Sequence, residues 1–288
     1  MGTTPTNHSV QKAFSLLMSF RGPHDWVTNA ELSRRTGLSE ACAHRLMKTL
    51  EGIGAVVRNT RGCYRPGMVL ASLSKDVAIG DLVRATSQDV LANLAARLKG
   101  VVHVGVLENG MVTYAAKIGE PICIPIPSRV GAQQEAYCCA LGKVLVAGLD
   151  DHQLDEFLHD GKLIALTPQT ITDVKQLRLE IEGVRRCGYA VDDREVFQTI
   201  CCVAAPILDP DGNTVAAISL SDTSEHMGHG WRDRVSEALI SAAEMVTRKI
   251  YPSYGDETEL IASAGAQFPP TRGVYARAYV DRRAARPA

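Results

Sequence analysis

The hydrophobic positions of residues 29–50 predict two short helices joined by a tight turn. In the second segment, SEACAHRLMKTL, apolar residues recur at helical spacing and predict one buried face: Ala43, Leu46, Met47 and Leu50. Ser39 is a suitable N-cap, and Gly52 is a suitable helix stop. The first segment, 29–36, follows Thr28, with Glu31 three residues later at capping-box spacing. Two short helices around a glycine-containing turn indicate a helix-turn-helix.

A β-hairpin is predicted directly after these two helices. Residues 55–58 and 63–66 are expected to be strands, and the polar residues 59–62 are expected to form the turn between them. A hairpin in this place is typical of a winged helix-turn-helix, whose recognition helix enters the major groove while the wing touches the DNA backbone.

Charge supports this interpretation of the N-terminal region. The first 70 residues carry nine basic and four acidic side chains, whereas the whole chain has a formal net charge of −1. We predict DNA contacts from the second helix and the wing: Ser39, Glu40, His44, Arg45, Lys48, Arg58 and Arg61. Arg45 suits guanine or phosphate, and the two wing arginines suit phosphate. An ordinary amphipathic helix with a solvated polar face is the alternative interpretation.

The rest of the chain predicts further helices around this region and a second domain. A first helix is expected at 10–20, with Ala13, Phe14, Leu16, Leu17 and Phe20 available for the core of the small domain. Helical spacing at 68–78 predicts a linker helix. A break at Gly80 then precedes a longer helix at 81–99.

Beyond residue 100 the pattern becomes typical of strands in hairpins with helices set apart. Strands are predicted at 101–107 and 111–116 around Asn109-Gly110, at 122–126, at 189–191, and at 202–208 and 214–220. Helices are predicted at 138–148, 151–159, 173–187 (capped by Thr172) and 230–251. This order indicates an α+β domain on an antiparallel sheet. Residues 252–288 lack periodicity and are expected to be a disordered tail.

Composition excludes several protein classes. No run of apolar residues approaches the roughly 20 needed to cross a bilayer, and the polar N-terminus does not resemble a signal peptide. The eight cysteines form no C-x-x-C pair, which favours free thiols in a reducing cytoplasm over a zinc site. We therefore expect a cytoplasmic protein without membrane contact, metal or cofactor.

Three stretches of this chain resemble the IclR family of bacterial transcriptional regulators. They are LSRRTGLSEACAHRLMKTLEGIGAV with the wing motif Tyr64-Arg65-Pro66-Gly67, the segment Ala140-Leu141-Gly142-Lys143, and GYAVDDRE followed by CVAAPI from Cys202. The resemblance covers about residues 9–251. The spacing from the glycine through Asp192 and Glu195 to Cys202 is the most specific part of it.

The resemblance implies a fold, a domain organisation and a function. It implies a winged helix-turn-helix at 9–67, a linker helix at 68–80 used in dimerisation, and a GAF/profilin-like antiparallel-sheet effector domain at 81–251. The implied function is a repressor or activator of a catabolic operon that responds to a small organic acid, and of these two we predict a repressor. Its partners would be a palindromic double-stranded DNA operator and a second copy of the chain, in a homodimer or homotetramer.

The resemblance also implies which residues bind the effector. Ala140, Leu141 and Gly142 match positions that hold the carboxylate of an effector, and unpaired N–H groups at a helix N-terminus favour an anion. Ser219 and Ser221 are two apart on a predicted strand, so both hydroxyls point to one face. Asp192 and Cys202 match further pocket positions. We expect Asp192 to accept a hydrogen bond from an effector hydroxyl or to anchor the loop.

The segment before Ala140 departs from the common family pattern. Where the family often reads Arg-x-Pro-Leu-His-Ala-Thr, this chain has Gln133-Gln134-Glu135-Ala136-Tyr137-Cys138-Cys139. Thr199 replaces a usual glycine, and Cys201 stands where arginine is frequent. The pocket lip has thus lost basic residues and gained the phenol of Tyr137. We therefore expect a larger acid, aromatic or hydroxylated, rather than one resembling pyruvate or glyoxylate.

Two other functions remain open at the level of sequence. Cys138, Cys139, Cys201 and Cys202, together with His103, could serve a thiol enzyme, although no nucleophile signature surrounds them. A ligand sensor that acts through a protein partner is the second alternative. A basic winged helix favours neither, and we expect a regulator without catalytic residues.

Overall fold

The computed structural model describes residues 7–21, 25–119, 126–160, 162–226, 228 and 230–252. These residues form two compact units, one ending at Ala78 and the other beginning at Ile79. The predicted strand at 122–126, except Ile126, and the predicted tail, except its first residue, lie outside the described residues. Within the described residues, none of the helices is long and apolar enough to span a membrane.

The first unit is a winged helix-turn-helix with one additional helix at each end. Its elements are α1 (His8–Met18), α2 (Asn29–Thr36), α3 (Glu40–Gly52), β1 (Val56–Arg58), β2 (Tyr64–Pro66) and α4 (Met68–Ser74). Thr28 and Ser39 cap α2 and α3 by accepting hydrogen bonds from Glu31 N and Cys42 N. β1 and β2 pair antiparallel, so the predicted hairpin is present.

The core of the first unit is formed by the apolar faces of these helices and by the wing. The buried residues are Leu16, Val27, Leu32, Ala43, Met47, Leu50, Ala55, Val56 and Tyr64. Phe14, which was predicted to be in this core, is 60% exposed. Helical periodicity could not distinguish its face of α1 from the face that carries Leu16, because both faces are apolar.

Among the described residues, the second unit is a six-stranded antiparallel sheet with helices on both faces. Its elements are α5 (Ile79–Leu98), β3 (Val101–Glu108), β4 (Met111–Ile118), β5 (Gln133–Glu135), α6 (Ala140–Ala147), α7 (Asp151–Asp160), α8 (Val174–Cys187), β6 (Ala190–Asp193), β7 (Ile200–Leu208), β8 (Thr214–Thr223) and α9 (Trp231–Ile250). The strand order is β5-β4-β3-β8-β7-β6, so β6 is an edge strand. The α+β fold is confirmed.

The two faces of the sheet carry different side chains. One face is apolar and packs against α5 and α9, with Val102, Val104, Val203, Ile218 and Leu220 in this core. Alternate residues of the same strands point to the other face, where Ala204 and Ala217 pack with α6 and α8. Polar residues on this second face are therefore placed beneath α6.

The structure differs from the predicted elements at several boundaries. The left-handed residue after α3 is Gly54 (φ 77°), and Gly52 is the last helical residue. Asp173, not Thr172, caps α8 by accepting from Gln176 N. Gly80 lies inside α5, because a helix can include a glycine in its first turn at small cost. The short strand β5 was not predicted, since its sequence, QQE, is polar.

Candidate DNA-binding surface and effector pocket

The solvent side of α3 presents three side chains that could contact DNA. His44, Arg45 and Lys48 are exposed, while Ala43 and Met47 on the opposite side are buried. Within the described residues, the side chains of these three form no hydrogen bond or ion pair. Ser39 instead caps the helix through its hydroxyl, and Glu40 is exposed in the first turn. The surface can therefore offer its basic groups to an anionic partner.

The wing presents its arginines differently. Asn59 Oδ1 accepts hydrogen bonds from the backbone N–H groups of Arg61 and Cys63, and this fixes the turn. The side chain of Arg61 is exposed at the tip. The guanidinium of Arg58 lies 5.5 Å from the ring centroid of Tyr64, so its position is set by a cation–π contact.

Two other arginines of the first unit form ion pairs within that unit. Arg35 donates to Asp25 Oδ2 at 2.6 Å, to Glu31 Oε1 at 2.8 Å and to the carbonyl of Ser19 at 3.0 Å. Arg34 pairs with Glu31. The number of basic side chains counted from the sequence therefore overestimates the positive charge that this unit has available for DNA contacts, because part of that charge is neutralised by internal ion pairs.

In the second unit, the register of the strands brings the predicted effector residues together beneath α6. Asp192 of β6 lies opposite Cys202 of β7, which lies opposite Ser221 of β8. Ser219 lies two residues from Ser221 and opposite His103 of β3. These five residues define what we call the polar sheet patch. All except Cys202, which is partly exposed, are buried.

A continuous line of polar contacts crosses this patch. The sulfur of Cys202 lies 3.1 Å from Ser221 Oγ, which lies 3.5 Å from His103 Nδ1. His103 Nε2 lies 2.7 Å from Ser128 Oγ. Burial, with a smaller effect of Lys117, lowers the pKa of His103 to about 3. The imidazole is therefore neutral near pH 7 and can both donate and accept a hydrogen bond.

His103, Tyr114 and Ser128 were not predicted as effector residues. The rings of His103 and Tyr114 have centroids 5.1 Å apart, and burial raises the pKa of the Tyr114 phenol, with further contributions from Cys139, Cys202 and Asp192. Tyr114 is therefore near the predicted residues. Alternation along β3 could have indicated His103, but the placement of the two others depends on strand pairing and on a loop.

Asp192 is an unusual member of the patch because it is a buried carboxyl group. It is 2% exposed, and its Oδ1 accepts a hydrogen bond from Glu195 N at 2.7 Å. Burial raises its pKa to about 7, although this hydrogen bond acts in the opposite direction. Asp192 therefore anchors the following loop and changes charge near neutral pH.

The first turn of α6 packs tightly over the sheet. A Cβ on Gly142 would lie 2.1 Å from the carbonyl oxygen of Ala136, so only glycine fits there. Cys139 caps the helix, and its sulfur accepts from Gly142 N at 3.3 Å. The N–H of Gly142 is thus already used. Among the described residues, no acceptor is found for the N–H groups of Ala140 and Leu141, which are available to an anion.

The remaining residue of this motif, Lys143, is buried and fully paired. Its ammonium group donates to Glu195 Oε1 at 2.5 Å, to Val191 O at 3.0 Å and to Glu180 Oε1 at 3.2 Å. These three acceptors use all of its N–H groups. The motif thus links α6 to β6 and α8, and Lys143 is not available to an acid at the polar sheet patch.

Tyr137 does not provide the phenol expected at a pocket lip. It is 4% exposed, its hydroxyl donates to Ile164 O at 2.8 Å, and it accepts from Ile164 N at 3.1 Å. This expectation was wrong because the hydroxyl is hydrogen-bonded to the backbone of Ile164, which is distant in the sequence. The aromatic side chain at the patch is Tyr114.

The cysteines of this region have little nucleophilic character. Burial raises the pKa of Cys138 and of Cys201 to about 12, and also raises the pKa values of Cys139 and Cys202. His103 contacts two serine hydroxyls rather than a thiol. Since the thiolate is the reactive form, this arrangement disfavours covalent catalysis by these residues. The described residues also contain no cluster suited to bind a metal.

Comparison with known proteins identifies the family. Residues 9–60 match the IclR helix-turn-helix domain, and residues 79–248 match the C-terminal domain of bacterial transcriptional regulators of the IclR type. The chain belongs to the IclR family. The resemblance predicted from three short motifs is thus confirmed, and it extends over both units.

Individual IclR-family proteins match along nearly their whole length. The HTH-type transcriptional regulator XynR of Escherichia coli is 29% identical over 251 residues, which are 86% of this chain and 100% of XynR. The crystal structure of Thermotoga maritima IclR is 30% identical, with a TM-score of 0.57, over 84% of this chain and 98% of that chain. This chain is accordingly a DNA-binding transcriptional regulator of the IclR family.

A third match was crystallised with a small molecule. An IclR homologue from Microbacterium hydrocarbonoxydans, in complex with 4-hydroxybenzoate, is 21% identical with a TM-score of 0.56. The alignment covers 85% of this chain and 99% of that one. At this identity the match establishes a common fold.

Proposed function

We propose that this IclR-family regulator is a repressor of a catabolic operon and releases its operator when it binds a small aromatic or hydroxylated acid. The observation that carries the proposal is the polar sheet patch beneath the first turn of α6. It combines hydroxyl groups, a neutral imidazole and a buried carboxyl with the free N–H groups of Ala140 and Leu141. Such convergent polar groups on an otherwise apolar surface are typical of small-molecule sites.

Each part of the proposed effector has a matching group at the patch. The carboxylate would accept hydrogen bonds from the two free N–H groups of α6 and from Ser219 and Ser221. An aromatic ring would lie beside Tyr114. A hydroxyl on the ring would donate to Asp192, as that residue accepts hydrogen bonds in its charged form. A bound 4-hydroxybenzoate in one protein of the same fold is consistent with an acid of this class.

DNA binding is assigned to α3 and the wing. Arg45, with His44 and Lys48, would contact base edges or phosphate from the recognition helix. Arg58 and Arg61 would contact phosphate, and would raise affinity without reading sequence. Ser39 and Glu40 would lie near the DNA at the N-terminal end of α3. The N-cap role of Ser39 then makes its contribution partly structural.

A homodimer or homotetramer is proposed because apolar side chains of the first unit are left in solvent. On α1, Val10, Phe14 and Met18 recur every four residues and are each more than half exposed. On α4, Met68 and Leu73 are 76% and 62% exposed. Contiguous exposed apolar residues indicate an interaction surface. A two-fold symmetric dimer would match a palindromic operator.

The experiment is fluorescence anisotropy of the full-length protein on its own upstream intergenic DNA. Titrations are made alone and with pyruvate, glyoxylate, benzoate and 4-hydroxybenzoate. We expect specific binding that a hydroxylated aromatic acid weakens. The Ser219→Ala/Ser221→Ala double variant should bind DNA normally but require at least about tenfold more acid, because two hydrogen bonds to a charged group are lost. Ser224→Ala, just beyond β8, serves as the matched control.

Three outcomes would count against the proposal. DNA binding that no acid alters would favour a sensor acting through a protein partner. Tighter binding of pyruvate than of any aromatic acid would exclude the proposed effector class. An acid that strengthens operator binding would make the protein an activator or a corepressed regulator.

A further inference from the structure

The second unit contains a cleft that is separate from the polar sheet patch. It has a volume of about 530 Å³ and lies between α8, the edge strand β6 and the start of α9. Its walls include Ile171, Val184 and Tyr189, and none of the five residues of the polar sheet patch lines it. This volume is within the range of small-molecule sites, roughly 300–1,000 Å³.

One residue that lines this cleft has a buried carboxylate oxygen with no hydrogen-bond partner among the described residues. Glu195 lines the cleft and is 5% exposed; its Oε1 accepts from Lys143. Its Oε2 is buried and receives no hydrogen bond from any described residue. Lys143 cannot serve it, because its three N–H groups are used by Glu180, Glu195 and Val191 O. Since buried polar atoms are nearly always satisfied, a donor from a ligand would complete the site.

The charges around the cleft balance. Glu180, Asp193 and Glu195 line it together with Lys143 and Arg232. Arg194, which does not line it, pairs with Asp193 at 2.8 Å and offsets the third carboxylate. A strongly charged ligand would therefore gain little Coulomb energy here. The guanidinium of Arg232 is an exposed donor, and Glu180 and Glu195 are acceptors, so the cleft offers both kinds of hydrogen-bonding group.

We propose that this cleft is a second ligand site, for a neutral polyhydroxylated molecule of about monosaccharide size. One hydroxyl donates to Glu195 Oε2, a second donates to Glu180, and a third accepts from Arg232. The C–H surface of the ligand packs on Tyr189, Ile171 and Val184. Glu195 also connects the cleft to the polar sheet patch, because its backbone N–H donates to Asp192 and its partner Lys143 belongs to α6.

The test uses the full-length protein and three neutral probes: D-glucose, D-xylose and D-galactose. Saturation-transfer difference NMR detects contact, and calorimetry gives the affinity. We expect at least one sugar to bind the wild type at one site per chain. Arg232→Ala and Glu180→Gln should each lower the affinity for that sugar by about tenfold, because each removes a hydrogen bond that involves a charged group. Both residues are partly or fully exposed, and the fold of each variant is checked by thermal melting.

Matched controls separate this site from the rest of the molecule. Glu182→Gln on α8 and Arg248→Ala on α9 make the same changes on the same helices outside the cleft, and should leave sugar affinity within about twofold, as distant substitutions do. The Ser219→Ala/Ser221→Ala variant should bind the sugar normally. No sugar binding at millimolar concentration, loss of sugar binding only in that serine variant, or binding of the cation putrescine but of no sugar would each overturn the proposal.

Discussion

At the scale of single residues, the same side-chain type has different roles according to its surroundings. Arg35 is partly buried and ion-paired, Arg58 lies over the ring of Tyr64, and Arg45 is exposed to solvent. Among the carboxyl groups, Glu195 has a cationic partner in Lys143, whereas Asp192 accepts from the backbone N–H of Glu195. The difference is burial and pairing, which no local pattern reports.

Asp192 should make stability depend on pH near neutrality. Its pKa is about 7 in the folded protein against a normal value of 3.8, so the folded state holds its proton more tightly. Its stabilising effect is present below pH 4 and is lost as pH rises through 7. The side chain introduced by Asp192→Asn does not titrate. The melting temperature of this variant should therefore rise relative to that of the wild type as the pH increases from 5 to 8, as measured by thermal denaturation. A pH-independent difference would contradict this.

The same residue should affect the affinity for an acid. As Asp192 loses its proton above pH 7, its negative charge repels an anionic effector on the polar sheet patch. The wild type should therefore bind benzoate more weakly at pH 8 than at pH 6, by several-fold, while Asp192→Asn should not show this trend. Calorimetry at the two pH values measures the effect. Equal pH dependence in both proteins would place the acid elsewhere.

At the scale of elements, α3 and the wing both carry basic side chains but present them on different backbone structures. α3 is a capped helix that offers Arg45 among other exposed side chains, whereas the wing is a hairpin of two three-residue strands with Arg61 at its exposed tip. A helix that fits the major groove can read bases, but a wing beside the backbone contacts mainly phosphate.

Replacing Arg45 or Arg61 should therefore change DNA binding in different ways. Arg61→Ala should weaken binding to all DNA sequences and reduce the slope of log affinity against log salt by about one unit. Arg45→Ala should also relax operator preference, by about 1–3 kcal/mol if it contacts a guanine. Anisotropy at several salt concentrations, on operator and scrambled DNA, separates the two effects. Arg97→Ala, in the second unit, is the control; a changed operator preference in Arg61→Ala would refute the wing assignment.

The helix α4 has no buried residue, although its sequence, MVLASLS, is largely apolar. If a second copy of the chain covers it, Met68→Glu and Leu73→Glu should weaken self-association, since each places a charge in an apolar interface. Analytical ultracentrifugation measures the oligomeric state. Ser74→Glu on the same helix is the control, and an unchanged oligomer in both apolar variants would exclude α4 from the interface.

At the scale of the whole molecule, two units have separate hydrophobic cores. The core of the first is built from residues between Ala13 and Leu70, and the cores of the second from residues between Val83 and Ile250. A unit with its own core can fold independently. The polar sheet patch and the cleft lie wholly in the second unit, and the DNA-binding surface lies in the first.

A fragment of residues 79–252 should accordingly fold and bind the same acid as the full-length protein, with an affinity within about threefold, because every proposed contact is inside it. It should not bind operator DNA. Calorimetry and anisotropy of the fragment test both expectations. Loss of acid binding in a fragment that melts cooperatively would mean that residues of the first unit contribute to the effector site.

The sequence by itself determined most of the elements, the α+β class and the family, because hydrophobic period, caps and the Asn109-Gly110 turn act over a few residues and leave local signals. It also singled out Asp192 and Cys202 through a family motif, and Ser219 and Ser221 through their alternation along a predicted strand. Only the tertiary structure decided that His103, Tyr114 and Ser128 surround those residues, that Tyr137 is bonded to Ile164, and that Glu195 keeps one oxygen unpaired. These features depend on strand register and on contacts between residues far apart in the chain, which no local periodicity encodes.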